Sequence, residues 1–205
     1  NPVAQFTSPV SRESVEQSRW VAPPLRLLHC AAISDGAAAV VVERGGGVAT
    51  VAGLGQAFSP PALADRSDST CFAATREAAR QAFASARCSH DEVQVAEIHD
   101  AFAPFALINL EDLGFAEPGE GARFFGPAGS GPAPQLQVNP SGGLLGRGHP
   151  VGASGLAQIA EISAQLRGDA GPTQMDGSPR WGLAQSIGGL GAQNFVTILG
   201  REGAP

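Results

Sequence analysis

Residues 139–155 read NPSGGLLGRGHPVGASG, a glycine-dense loop that carries one histidine, His149, near its tip. Glycines at this density permit positive φ angles and close backbone approach, so we expect the loop to fold tightly against a ligand or another loop. Pro150 suits the first turn of a helix, where its missing N–H costs nothing. The pattern therefore predicts that His149 lies at or just before a helix N-terminus.

A histidine in that place has two interpretations. The dipole of the following helix disfavours the imidazolium form, and a neutral imidazole can accept a proton or donate a hydrogen bond to a developing oxyanion. The alternative is a histidine that merely faces solvent from a glycine loop. The other motifs of the sequence are needed to distinguish a functional His149 from one without a role.

Composition excludes several classes of protein. The 205 residues carry a formal charge of −6 and no basic run, which argues against nucleic acid as a partner. No apolar segment is long enough to span a bilayer. The three cysteines (Cys30, Cys71 and Cys88) are widely spaced and form no Cys-x-x-Cys pair. They indicate neither a disulfide framework nor a zinc site and suit a reducing cytoplasm.

Hydrophobic patterning predicts an α/β fold with a mixed five-stranded sheet and helices on both faces. The expected strands are Ala38–Val42, Val48–Phe58, Val93–Ile98, Trp181–Ile187 and Asn194–Leu199. The expected helices of this domain are Ala73–Ala86, Phe102–Leu113 and Val151–Leu166, with a surface loop over 116–135. Residues 1–29 contain one further helix candidate, Ser11–Trp20, and are expected to form an arm outside a domain of residues 30–205.

Polar residues collect at the predicted ends of these elements, where α/β sheets place their sites. His99-Asp100 follows a strand, His149 lies on the glycine loop, and 186–189 (Ser-Ile-Gly-Gly) opens the final hairpin. His29 and His90 lie in polar loop contexts and are expected to be inert. No metal-ligand spacing joins His99, Asp100 and His149, so we predict no metal site.

Four segments in this order resemble the thiolase superfamily. They are Ser34-Asp35-Gly36-Ala37-Ala38, His99-Asp100-Ala101-Phe102, the glycine loop of residues 139–155 and the hairpin glycines of 188–191. The resemblance is strongest to the sterol-carrier-protein and lipid-transfer branch, which has His-Asp where ordinary thiolases have Asn-Glu. It covers almost the whole chain and implies a thiolase C-terminal half. The start at Asn1, without Met, reads like the middle of a protein.

The resemblance also implies roles for individual residues. His149 activates a nucleophilic cysteine of the N-terminal half, and His99 shapes the oxyanion site. Gly188 supplies a backbone N–H to the oxyanion. The implied substrate-binding positions are Asn139, Gly148 and Gly189. Of these, Asn139 is expected to act indirectly, by holding the loop through hydrogen bonds, rather than to touch substrate. Coenzyme A is the implied cosubstrate, and no tightly bound cofactor is expected.

One residue departs from the family pattern. Where thiolases have a second cysteine as acid and base, this chain has Ser186, whose hydroxyl is a poor proton shuttle unless a base activates it. Cys30, Cys71 and Cys88 lie outside the motif and are interpreted as structural.

Three functions remain open at this stage. The first is acyl transfer or thiolysis on a lipid or steroid-like acyl-CoA. The second is a retro-aldol lyase that cleaves β-hydroxyacyl-CoA side chains together with an OB-fold (DUF35-like) partner. The third is a non-catalytic subunit, against which the retention of both His99 and His149 speaks. The expected partners are acyl-CoA and an N-terminal thiolase half on the same or a separate chain, in a homodimer or hetero-oligomer.

Overall fold

The computed structural model describes residues 1–45, 47–125 and 136–201. Its N-terminal part contains a short helix, α1 (Arg12–Gln17), and a small antiparallel hairpin of β1 (Trp20–Ala22) and β2 (Leu25–Arg26). The Ser11 side chain caps α1 by accepting the N–H of Ser14. This helix is shorter than the one predicted over Ser11–Trp20, because the chain turns into the hairpin at Trp20.

The main sheet has five strands, β3 (Ala49–Phe58), β4 (Val95–Glu97), β5 (Gln137–Val138), β6 (Trp181–Gly188) and β7 (Gln193–Arg201). Their spatial order is β3-β7-β6-β4-β5. β4 runs parallel to β5 and β6, whereas β7 runs antiparallel to β3 and β6. The predicted mixed five-stranded sheet is therefore confirmed.

Helices cover the sheet from both sides, as predicted. The helices of this domain are α2 (Ala73–Ala86), α3 (Ala103–Asp112), α4 (Gly143–Arg147) within the glycine loop and α5 (Ser154–Arg167), and of these α2, α3 and α5 pack on the sheet. Single-turn 3-10 helices occupy Leu27–His29, Leu63–Asp65, His90–Glu92, Gly121–Phe125 and Gly171–Thr173. The loop predicted over 116–135 contains the 3-10 helix Gly121–Phe125. Residues 126–135 lie outside the described residues.

Two hydrophobic clusters form because successive strand residues point to opposite faces of the sheet. Leu183 and Ile198 belong to the cluster beneath α2 and α3, while their neighbours Ala184 and Leu199 belong to the cluster beneath α5. Helix α2 approaches β3 so closely that a Cβ on Gly55 would lie 1.8 Å from the carbonyl oxygen of Ala78. The glycines of β3 thus permit the contact between helix and strand.

One predicted strand is wrong. Residues 38–42 form no strand, and Val41 and Val42 are 95% and 79% exposed. A β-branched run forms a strand only where a neighbouring strand accepts and donates its hydrogen bonds, and within the described ranges no strand pairs with it. The fifth place in the sheet belongs instead to the two-residue β5.

The outward face of β3 is also uncovered. Helix α5 lies over β4, β6 and part of β7, which leaves Leu54 and Phe58 of β3 62% and 63% exposed. Phe195 of β7 borders them on the same face and is 39% exposed.

Among the helices of the described ranges, none has the length and apolar character needed to cross a bilayer.

Candidate active site

Two neighbouring parallel strands place His99 and His149 side by side. His99 follows β4, and the glycine loop follows β5, so both leave the same edge of the sheet. The two imidazole rings lie with their centroids 5.1 Å apart and their planes at 87°. The two histidines expected to be inert lie elsewhere: His29 Nδ1 accepts the N–H of Arg26, and His90 packs on Phe83.

A serine sets the tautomer of His149. Nδ1 of His149 lies 2.8 Å from Oγ of Ser154, and that hydroxyl donates to the carbonyl oxygen of Pro150 at 3.1 Å. Because a hydroxyl has one proton to donate, Ser154 accepts from His149, and Nδ1 carries the ring proton. Nε2 of His149 therefore keeps its lone pair and can act as a base.

The pKa of His149 lies below its ordinary value. Helix α5 begins only at Ser154, after a turn in which the Pro150 carbonyl accepts the N–H of Ala153. Burial is the main cause of the lowered pKa, and the positive charge of Arg147 adds to it. His149 is neutral at neutral pH.

His99 has the opposite tautomer. Its Nδ1 accepts the backbone N–H of Ile187 at 3.4 Å, so Nε2 carries the proton and is a donor. His99 is 5% exposed, and burial together with the neighbouring His149 lowers its pKa to about 3. The pair thus consists of a neutral base, Nε2 of His149, and a neutral donor, Nε2–H of His99.

Two buried amides hold the backbone of His99. Gln185 Oε1 accepts the N–H of His99 at 2.8 Å, and Asn109 Nδ2 donates to the His99 carbonyl oxygen at 2.8 Å. The two amides also bond to each other, since Gln185 Nε2 donates to Asn109 Oδ1 at 3.0 Å. Sequence reasoning missed both residues. A polar Gln185 inside the apolar run of β6 was the one available signal.

Asn139 and Asp100 anchor the beginning of the glycine loop. Asn139, with φ +50°, accepts the N–H of Ile98 through Oδ1 at 2.7 Å. Asp100 Oδ1 accepts the N–H of Leu144 at 2.6 Å and so caps α4. Gly143 lies between the two anchors, and a Cβ there would lie 2.3 Å from Asp100 Oδ2. The loop is built around a position that needs glycine.

The N-terminal residues anchor the end of the same loop, which sequence reasoning did not foresee. The N–H of His149 donates to the carbonyl oxygen of Ala32 at 3.0 Å and to Ser34 Oγ at 3.2 Å. Ser34 in turn donates to Gln5 Oε1. Gly148 has φ +100°, and a Cβ there would lie 2.5 Å from both Gln5 Oε1 and Ser34 Oγ. Gly148 therefore permits the close approach of the Gln5 and Ser34 side chains.

Ser186 lies on the opposite face of β6 from Gln185, next in sequence to Ile187, whose N–H donates to His99. It faces Gly155 of α5 and lines a cleft of about 360 Å³ together with Val151, Leu156 and Phe195. Among the hydrogen bonds of the described residues, none joins Ser186 to either histidine.

The final hairpin begins just beyond the site. Gly188 ends β6 opposite Gln193, one residue after Ile187, whose N–H contacts His99. Gly189 follows in the turn with φ +62°. The hairpin tip therefore adjoins His99.

Among the hydrogen bonds of the described residues, none joins a cysteine to His99 or His149. Cys71 and Cys88 are buried, and burial raises the pKa of Cys71 and raises that of Cys88 to about 11. Thiols with raised pKa values are poor nucleophiles at neutral pH. Across the described ranges, no group of three or more His, Cys, Asp or Glu side chains is arranged to hold a metal ion.

Comparison with known proteins gives relatives of about twice the length of this chain. An acetyl-CoA acetyltransferase of Methanothermobacter thermautotrophicus is 44% identical over 98% of this chain and 54% of its own length. Sterol carrier protein 2 of Rattus norvegicus is 34% identical over 100% of this chain and 39% of its own length. The benzoylsuccinyl-CoA thiolase subunit BbsB of Thauera aromatica is 35% identical over 92% of this chain and 51% of its own length.

A solved structure shares the fold. The Ltp2-ChsH2(DUF35) aldolase superposes with a TM-score of 0.79 over 98% of this chain and 55% of that chain, at 23% identity. The family model described as "Thiolase C-terminal domain-like" matches residues 55–201. The chain therefore belongs to the thiolase family, and its match to the thiolase C-terminal domain covers residues 55–201.

Proposed function

We propose that this chain is the C-terminal half of a thiolase-like acyl-CoA enzyme that transfers acyl groups to and from coenzyme A. The observation that carries the proposal is the pair of neutral histidines with complementary Nε2 atoms, one a base and one a donor. Acyl transfer from a thioester needs both functions within reach of one carbonyl group. The 44% identity to an acetyl-CoA acetyltransferase supports the same reaction class.

The reaction proceeds from a cysteine thiol that the N-terminal half supplies. Nε2 of His149 takes the proton of that thiol, and the thiolate attacks the carbonyl carbon of the thioester. The Nε2–H of His99 and the backbone N–H of Gly188 donate to the developing oxyanion, each donor worth ~3 kcal/mol of transition-state stabilisation. The bond from the carbonyl carbon to the CoA sulfur then breaks, and His149 returns the proton to the departing thiolate. Coenzyme A is a cosubstrate, and the proposal includes no tightly bound cofactor.

Two uncovered surfaces support an N-terminal half as partner. Val41 and Val42 belong to a β-branched run that forms no strand here and are 95% and 79% exposed, so a strand of another domain could pair with this run. Leu54 and Phe58 form an apolar face that a second domain would bury. The chain also spans about half the length of the relatives that it matches.

The assembly that we propose is a homodimer or hetero-oligomer. We place it in the cytoplasm, because free cysteines suit a reducing compartment.

Ser186 favours a second candidate function. A serine in place of the family's second cysteine weakens proton transfer at the α-carbon, which carbon–carbon bond formation by thiolases requires. A retro-aldol lyase on β-hydroxyacyl-CoA needs no such thiol. The likeness in fold to an aldolase whose name includes a DUF35 protein makes an OB-fold partner part of this second candidate.

Intact-mass measurement of the complete protein, both halves together, separates the candidates. Mixing with acyl-CoA is expected to add the mass of one acyl group, and His149→Ala is expected to slow this acylation about a thousandfold. His29→Ala is the matched control, because His29 lies in the N-terminal arm, where it accepts the N–H of Arg26. Release of an aldehyde or ketone without consumption of free CoA would identify the lyase. Neither product with any substrate would indicate a non-catalytic subunit.

A further inference from the structure

A buried carboxyl group near the site has no part in the reaction above. Glu97 is the last residue of β4, two positions before His99, and its side chain has no exposed surface. Burying a carboxyl group is costly unless hydrogen bonds compensate, and an apolar side chain of similar volume would fill the same space without that cost. The presence of Glu97 therefore calls for a function of its polar atoms.

Those atoms bond to the start of the glycine loop. Oε1 of Glu97 accepts the backbone N–H of Ser141 at 3.0 Å, and Oε2 lies 2.8 Å from Ser141 Oγ. Ser141 is 1% exposed, and its Oγ also accepts the N–H of Gly143 at 3.2 Å. Both contacts join β4 to the loop across 44 residues of sequence.

The loop continues from Ser141 through the short helix α4 to His149. Its far end is held by Ala32 and Ser34, and its start is held by the strand that carries His99. We propose that Glu97 is a positioning residue for His149: its carboxyl group ties Ser141 to the strand end and so sets the placement of the two histidine rings relative to each other.

The contacts need a group with two polar atoms, but not a charge. Oε1 accepts from the Ser141 N–H in either protonation state, and the other oxygen can accept from or donate to Ser141 Oγ. A glutamine reproduces this pattern, because its oxygen accepts and its NH₂ donates. A methionine of similar volume reproduces neither bond. Glu97→Gln is therefore the conservative variant and Glu97→Met the disruptive one.

Two measurements test this inference, and the first, the acylation rate, rests on the proposed acyl transfer. In the complete protein with saturating acyl-CoA, we expect Glu97→Met to lower the first-order acylation rate about tenfold to a hundredfold. The acyl-CoA concentration for half-maximal rate should change by less than about twofold, since substrate contacts are untouched. Glu97→Gln should stay within about twofold of the wild-type rate.

The second readout is independent of activity. With rings 5.1 Å apart, His99 and His149 should give a ring-to-ring nuclear Overhauser effect in protein with labelled histidines. His99→Gln and His149→Gln assign the signals. Glu97→Met is expected to lose this effect and Glu97→Gln to keep it. Glu161→Met is the control, because Glu161 bonds to Gln165 and Thr173 and not to the loop.

The outcomes separate the two proposals. A wild type that forms no acyl adduct overturns the proposed function, and the ring-to-ring effect then decides the role of Glu97 alone. A Glu97→Met protein that keeps both the effect and the rate overturns the positioning role, as does a Glu97→Gln protein that loses both. Should Glu97→Met fail to fold by circular dichroism, Ser141→Ala takes its place. It keeps the bond from the Ser141 N–H to Glu97 Oε1, removes the Oγ contacts with Glu97 and with the Gly143 N–H, and should give a smaller loss of the same kind.

Discussion

The two histidines differ in which ring nitrogen carries the proton, and each tautomer follows from one neighbouring group. Ser154 accepts from Nδ1 of His149, and the backbone N–H of Ile187 donates to Nδ1 of His99. Loss of either hydrogen bond would change the roles of the rings without changing their identity. The residues that fix tautomers are therefore as informative about the chemistry as the histidines themselves.

Ser154→Ala tests this dependence. The variant removes the acceptor for Nδ1–H, so we expect the other tautomer of His149 to gain population and the acylation rate to fall about tenfold. Nitrogen-15 shifts of the His149 ring measure the tautomer. Ser163→Ala is the control on the same helix, because its hydroxyl donates only to the carbonyl oxygen of Ile159. An unchanged tautomer population in Ser154→Ala would contradict the assignment.

Sequence patterns identify His99 and His149 because both lie in local motifs at the ends of elements. Their supporting residues have no such motif. Gln185 and Asn109 bond across 76 residues, and Ser34 meets the His149 N–H across 115. Contacts of that sequence separation exist only once the sheet has assembled, so the roles of Gln185, Asn109 and Ser34 follow from the fold and not from any short stretch.

Among the elements, the long amphipathic helices and paired strands were predicted well, and the exceptions have physical causes. The strand expected at residues 38–42 lacks a partner strand, which no local propensity can reveal. Helix α4 (Gly143–Arg147, sequence GLLGR) was not predicted because two of its five residues are glycine. It forms because Asp100 caps its first turn and Leu144 is fully buried.

Two glycines of α4 offer a matched test of that explanation. Gly143 has φ +61° and lies against the Asp100 carboxylate, whereas a Cβ at Gly146 would meet nothing within 4 Å. We expect Gly143→Ala to lower the free energy of unfolding by about 2 kcal/mol or more, from backbone strain and displacement of Asp100. Gly146→Ala should leave it unchanged or raise it by less than about 1 kcal/mol. Urea denaturation measures both, and equal effects would contradict the cap.

At the scale of the whole molecule, helices cover one face of the sheet fully and the other face only in part. Helices α2 and α3 close one side of the sheet, and α5 closes the other only over β4, β6 and part of β7. The histidine pair lies at the sheet edge where the glycine loop leaves β5. An N-terminal half that covers Leu54 and Phe58 would bury the apolar surface that the described helices leave exposed on β3.

The stability of the whole molecule should also depend on the titration of Glu97. Burial raises its pKa from 4.5 to about 7, against the hydrogen bonds of Ser141 and the charge of Arg147, while the charge of Glu161 adds to the rise. The folded protein thus holds this proton more tightly than the unfolded chain does. As pH rises between these two values, the free energy of unfolding falls, and above pH 7 the loss stays constant.

Glu97→Gln isolates this contribution, because glutamine keeps the contacts with Ser141 and does not ionise. Between about pH 5 and about pH 8, the wild type should lose up to roughly 3 kcal/mol more unfolding free energy than the variant. Asp100 and Asp112, whose pKa values are also raised by burial, titrate in both proteins and cancel in the difference. Urea denaturation of both proteins at the two pH values gives the comparison. Parallel pH profiles would show that Glu97 titrates in the folded protein as it does in the unfolded chain.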